Sequence, residues 1–351
     1  MPMPSEPLEK LGFLTIGSFD GADPGPGHEA TLEVIELGER LGFDSAWVRH
    51  RHLQYGISSP VAVLAAATQR TRRIELGTAV IPLGWENPLR LAEDLATVDV
   101  LSGGRLNPGV SVGPPMRFAD VREALYPDTA DAEDFSHERV SRLLGLVGGE
   151  PASGFAGTEG IEEFSDRVQP HSPGLRSRMW YGGASLSSAR LTGEHAMNFL
   201  TSSVVKAEQP GTFAEIQASH IAAFRAAHPA GAAARVSQGL VVVPTDSATA
   251  AQRAKYQAYA DARLPRTSSP QGPQRLLFAR DLVGPSARIA EELYAHAGFQ
   301  QVREVVFALP FSFAPEDYLQ ILTDIASHLG PALGWRPAAA TALDRPAAGQ
   351  N

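Results

Sequence analysis

Apolar and polar positions along the chain alternate between two periods. Residues 11–19 form a short apolar, β-leaning run. In residues 28–41, Val34, Leu37 and Leu41 share one stripe while Glu33, Glu36 and Glu39 fall mostly off it, which predicts an amphipathic helix. Gly42 stops that helix. The pair recurs. Further strands are expected at 45–49, 74–83, 106–112, 179–182, 196–202, 236–244 and 304–310. Helices are expected at 60–71, 88–101, 137–147, 187–195, 213–227, 247–263, 286–297 and 315–328. Alternating β and α elements argue for a parallel sheet, and eight strands argue for closure into a (β/α)8 TIM barrel, an α/β fold, with inserted loops. An open doubly wound sheet is the rival. No G-x-G-x-x-G lies between the first strand and the first helix, which weakens it.

The pattern lapses twice. Residues 148–178 are rich in Gly, Ser and Pro and read as an insertion or lid-like excursion, and 265–273 read as a second loop of that kind. Residues 1–335 are expected to form one domain. The Ala/Pro-rich stretch 336–351 reads as a disordered tail.

Composition narrows the function. The 351 residues suit one barrel of roughly 250 residues plus insertions. With 43% hydrophobic residues, a core of useful size can be buried. A net charge of −9 makes nucleic acid a poor partner. The absence of cysteine excludes disulfides, thiolate catalysis and thiolate metal sites. The N-terminus is polar, and no run of ~18 apolar residues suggests a membrane helix, so the chain reads as cytoplasmic.

In such a barrel the site is built from loops at the C-terminal ends of the strands. Four segments stand there. Arg49-His50-Arg51-His52 places proton-bearing groups at the end of the second strand; a solvated basic loop would read the same. Gly77-Thr78-Ala79-Val80 leaves the third strand with small residues that admit a planar ring, or it is an ordinary tight exit. Gly109 to Gly113, with Ser111 between, suggests close approach by a ligand or another backbone, or a bulge. Gly182-Gly183-Ala184-Ser185, with Ser188, leads into a helix and reads as a phosphate cradle. A plain N-capped helix start would also use Ser here. Metal sites look poor: the ten His are scattered, and His50 and His52 alternate faces if the strand continues.

Together these segments carry a resemblance. The relevant stretches are 42–48 (GFDSAWV) with His52, 76–80 (LGTAV), 88–94 (PLRLAED) with 101–105 (LSGGR), 167–170 (RVQP) with 180–183 (WYGG), and 284–286 (GPS) with 289–293 (IAEEL). In order over roughly 11–330, they resemble the luciferase-like flavin-dependent monooxygenases. The resemblance implies a (β/α)8 barrel, commonly a homodimer, that binds reduced FMN delivered by a separate flavin reductase, or the deazaflavin F420. It places the ring over the third and fourth strand ends, with a non-prolyl cis peptide at Ala79-Val80 and the phosphate near the Gly-Gly-Ala-Ser turn. Thr78, Ala79, Ser111, Gly183, Ala184, Ser185 and Ser188 are the implied cofactor residues, and His52, Arg51 and His50 the catalytic candidates.

The chain departs from that family at instructive points. His50 stands where the family often has an acid, and Arg51 where luciferases keep a His. Ser111 and Val112 replace a Cys and an Arg. Luciferase chemistry itself is therefore not expected. The leading reading is a two-component monooxygenase acting on a small organic substrate, with His52 as acid/base and Arg51 pairing with an anionic substrate or the flavin. F420-dependent hydride transfer and a non-catalytic barrel are the alternatives.

Overall fold

The computed structural model describes residues 7–311 and 313–338. Of the tail expected over 336–351, all but its first three residues lie outside that range. Eight strands form the central sheet: β1 (Lys10–Thr15), β2 (Ser45–Val48), β3 (Glu75–Thr78 and Ile81–Pro82), β4 (Leu106–Asn107 and Gly109–Ser111), β5 (Trp180–Gly182), β6 (Asn198–Thr201), β7 (Val236–Gln238) and β8 (Glu304–Ala308). Each pairs in parallel with the next. β8 then pairs with β1, from Lys10↔Glu304 to Leu14↔Ala308, and closes the ring. Closure excludes the open-sheet rival.

Among the described residues, ten helices of eight or more residues accompany the strands: α1 (Gly25–Arg40), α2 (Pro60–Arg70), α3 (Pro88–Ser102), α4 (Phe118–Leu125), α5 (Glu138–Val147), α6 (Leu186–Glu194), α7 (Phe213–Ala227), α8 (Ala250–Arg263), α9 (Ser286–Tyr294) and α10 (Pro315–Asp324). Their ends follow local chemistry. For α3, the Asn87 side chain accepts from the N–H groups of Leu89 and Arg90, and Gly103 ends the helix at φ +70°. Among the described residues, no helix is long and apolar enough to cross a membrane.

The structure differs from the expected pattern in five places. β3 and β4 are each split. β3 breaks at the cis Ala79–Val80 peptide. β4 breaks at Pro108, which has no N–H to donate to a ladder. The expected strand at 236–244 also divides. β7 stops at Gln238, and Val242–Pro244 pairs with Leu282–Gly284 outside the barrel sheet. α4 and the antiparallel pair Val204–Lys206 with Leu276–Phe278 were not foreseen.

Two tryptophans plug the barrel. Trp47 and Trp180 meet edge to face at 5.5 Å, with Leu200 and Val306 beside them. Each indole N–H has a partner: Ser45 Oγ at 2.9 Å and Asn107 Oδ1 at 3.1 Å. Below them Arg235 lies over the Trp180 ring at 4.7 Å and pairs with Glu304 at 3.0 Å. This layer fills the barrel interior below the C-terminal ends of its strands.

Candidate active site

A cavity of about 1020 Å³ lies at that end, and all eight strands or their exits line it. Its floor is Leu14, Val80, Leu200 and Val306, the upper surface of the tryptophan layer. His50, Arg51, His52, Ala79, Ser111, Gly183 and Ala184 all line it.

The two histidines do not diverge as expected. Positions two apart share one face of an extended chain, so they come together, and their rings lie 4.1 Å apart. His52 stacks on Trp85 at 3.9 Å with the planes 13° apart. His50 is buried and its Nε2 is 2.7 Å from the Ser58 carbonyl, while its Nδ1 has no partner. His52 Nε2 is also buried without a partner. Burial, reinforced by His52, pushes the His50 pKa down to about 4, and burial lowers that of His52. Both rings are therefore neutral at pH 7.

Glu86, in the turn after β3, completes the group: its carboxylate and the two imidazoles offer ligand atoms within 4.8 Å of one another. Burial, then Asp94, raises its pKa to about 7. Such donors could take a zinc-class ion. Yet Arg49 and Arg51 flank the cluster in sequence and line the same cavity, a positive field that opposes a dication. The trio is better suited to holding protons.

A pH test follows. Glu86 binds its proton more tightly folded (about 7) than at its ordinary 4.5. Between those values the folded state holds more protons, so Glu86 makes stability fall as pH rises. Glu86→Gln removes that contribution. The parent-minus-variant difference in Tm should shrink from pH 4.5 to 7, relative to its low-pH value; a difference independent of pH would show Glu86 titrating normally.

The other candidates divide. Thr78 does not line the cavity. It is fully buried, and its Oγ1 donates to the Gly109 carbonyl at 2.8 Å and accepts from the Gly109 N–H at 2.9 Å, clamping β3 to β4. Gly109 is small because a Cβ there would strike the Thr78 carbonyl, so the close approach is by backbone. A Cβ on Gly183 would lie 2.6 Å from Ser188 Oγ, so packing already demands that glycine. Ser185 and Ser188 cap α6 reciprocally: the Ser188 N–H donates to Ser185 Oγ at 3.2 Å, and the Ser185 N–H to Ser188 Oγ at 3.1 Å. A further donor of the expected cradle, the Leu186 N–H, is held by Glu208 Oε2 at 2.7 Å. The turn is thus a closed helix cap with a carboxylate already on it.

The expected lids lie elsewhere. Neither 148–178 nor 265–273 lines the cavity. The former is tied down on the outside of the barrel through Ser172 and Arg178, both bonded to Asp99, and carries an exposed hairpin, Gly157–Glu159 with Glu162–Phe164. The 49–54 loop, and the segment from the end of β4 into α4 (111–121), form the rim instead, where Leu53 and Met116 stand exposed. The sequence reading missed Trp85, Glu86, Glu208, Met116 and Arg117, which sit in turns without a periodic signal.

Three comparisons bear on this geometry. The family model described as luciferase-like monooxygenase matches residues 10–301. The 4-hydroxyprotoasukamycin monooxygenase of Streptomyces nodosus subsp. asukaensis is 36% identical over 138 residues, covering 38% of this chain and 36% of that protein. Limonene 1,2-monooxygenase of Rhodococcus erythropolis is 35% identical over 122 residues, covering 34% and 30% respectively. The chain therefore spans about a third of the length of these curated relatives. The oxygenating constituent of 3,6-diketocamphane monooxygenase from Pseudomonas putida, solved in complex with FMN, superposes with a TM-score of 0.69 at 15% identity, covering 93% of this chain and 99% of that one. At that identity the likeness supports the fold.

Proposed function

Because this chain belongs to the luciferase-like monooxygenase family, we propose that it is the oxygenase component of a two-component monooxygenase that uses reduced FMN and O2 on a small organic substrate. One observation carries the reading. The cavity joins a wall of small residues at Ala79, Gly182, Gly183 and Ala184 to a neutral imidazole, His52, whose Nε2 has no partner.

The residues fit the ring end of a flavin. Ala79, Val80 and Gly182 would flank it, and a Cβ at 182 would lie 2.7 Å from Val80 Cγ1, leaving no slack there for a larger residue. Ser111, Gly183 and Ala184 would meet the ribityl arm. When bound, the reduced flavin supplies the electrons that activate O2. The chain's own part is to position substrate over the apolar floor, exclude water at the Leu53–Met116 rim, and hold or deliver a proton at His52 Nε2. His50, anchored on Ser58, keeps the His52 ring in place. A flavin reductase would supply the cofactor. A homodimer in the cytoplasm is the assembly we propose.

Anaerobic titration with FMN and with F420, each oxidised and reduced, tests this. Tight binding of reduced FMN is expected. Preference for F420 would move the reading to hydride transfer without O2, and binding of neither would overturn a flavin role.

The fit is poorer at the phosphate end, where Glu208 holds the α6 N-terminus. A carboxylate there repels a phosphate over a distance at which a helix-terminus charge is worth ~0.3–1 kcal/mol. Glu208→Gln should therefore tighten FMN roughly two- to fivefold and leave riboflavin unchanged. An equal effect on both would place the phosphate elsewhere.

A further inference from the structure

The cavity contains a charge imbalance that neither the histidine cluster nor a flavin ring resolves. Arg49 and Arg51 both line it. They follow directly on the end of β2 at Val48. The backbone N–H of Arg49 donates to Thr15 at 3.0 Å, and its guanidinium lies over the Phe311 ring at 5.5 Å. Arg263 lies over the same ring, also at 5.5 Å, and over Tyr259 at 4.7 Å. Arg266 lies over Phe278 at 4.4 Å.

Arg49 thus has Arg51 and Arg263 as like-charged neighbours, and Asp120, a carboxylate that lines the cavity, is taken by Arg117. Asp281 is taken by Arg263, at 2.5 Å and 3.3 Å. Among the described residues, no carboxylate forms an ion pair with Arg49 or Arg51; of the titratable groups that bear on Arg49, Arg51 and Arg263 repel its charge and Tyr259 favours it. Burial, with these like charges, lowers the Arg49 pKa to about 10. Arginine stays charged, and both Arg49 and Arg51 are half-buried, so their unpaired charge is costly unless something compensates it. Aromatic faces at Phe311 and Tyr259 compensate in part. The open side of Arg49 and Arg51 is the cavity.

We propose that Arg49 and Arg51 form the seat for an anionic head group, and that the substrate is an organic carboxylate whose apolar body lies on the floor of Leu14, Leu200 and Val306. Two planar forks suit a carboxylate's two oxygens. A flavin phosphate offers the same chemistry, so the test separates the two sources. The word substrate rests on the oxygenase reading above; the anion seat does not.

The purified protein, free of flavin, is titrated with benzoate and with benzamide, its neutral isostere. FMN and riboflavin are then compared, for parent, Arg49→Gln and Arg51→Gln. Benzoate should bind and raise Tm, benzamide should not, and either variant should weaken benzoate by about tenfold or more. The FMN-to-riboflavin ratio should stay the same in the variants. Arg49→Gln should also raise the ligand-free Tm, because it removes a repelled charge; this gain keeps the test readable where a simple loss of fold would lower Tm. Equal binding of benzoate and benzamide would overturn the proposal. So would an FMN-over-riboflavin preference that disappears in Arg49→Gln, since the seat would then belong to the phosphate. Failure to bind any flavin while benzoate still binds through Arg49 would sink the oxygenase reading and leave the seat standing.

Discussion

Asp99→Ala should lower the unfolding free energy by about 3–5 kcal/mol, the largest effect on stability expected at a single polar side chain here. Asp99 lies on α3 and is fully buried. It accepts from Ser172 Oγ at 2.5 Å, from Arg178 Nη2 at 2.6 Å and from the Leu106 N–H at 3.2 Å. Those donors belong to the far end of the 148–178 excursion and to the start of β4. One carboxylate therefore fastens the excursion where it re-enters the barrel and sets the first residue of a strand. Alanine would leave a backbone N–H and a hydroxyl buried without partners. Arg178, a quarter exposed, can turn toward water, which holds the loss to the quoted range. Urea unfolding measures it. Arg178→Ala should cost a comparable amount, because it leaves the fully buried Asp99 carboxylate without its cation. If Asp99→Ala cost under about 1 kcal/mol, the excursion would be anchored by other contacts.

The barrel was legible because its physics is local and periodic. The stripe at Val34, Leu37 and Leu41 turns one face of a helix to the core, the run to Trp47 makes a strand buried on both faces, and eight repeats permit few topologies. The resemblance located the cis peptide at Ala79–Val80, which the structure contains. What stayed hidden depends on partners distant in sequence. Gly183 was read as a phosphate-binding glycine, but Ser188 requires it; Thr78 was read as a cofactor contact, but Gly109 engages its hydroxyl. Glu208 reaches the α6 N-terminus from 22 residues away, and no periodicity marks such a contact. His50 and His52 were read as facing apart, but positions two apart share one face of an extended chain, and their rings meet. The 148–178 stretch was read as a lid on composition alone, which cannot say on which side of the barrel a loop packs.

His52→Ala should lower turnover about 10²- to 10⁴-fold, the usual contribution of a positioned proton-transfer group, while reduced-FMN affinity changes no more than a few-fold. The expectation rests on what else could replace the imidazole. His50 is anchored through Nε2 on Ser58, and burial keeps it neutral down to about pH 4. Arg49 and Arg51 cannot accept a proton at neutral pH. Glu86 titrates near 7 but is not among the cavity-lining residues. His52 alone in the cluster combines a cavity position, a half-buried ring and a free Nε2. The stack on Trp85 is lost in the variant, but it is a contact of a half-exposed ring, so the fold should survive. The pH profile distinguishes a chemical role from a merely structural one. Burial lowers the His52 pKa, so the basic form persists below the ordinary 6.5 and the acid limb of kcat should lie beneath that value. The limb should vanish in His52→Ala, and added imidazole should restore part of the rate. Turnover at the parent level with an unchanged profile would take the proton role from His52 and leave it a packing partner for Trp85.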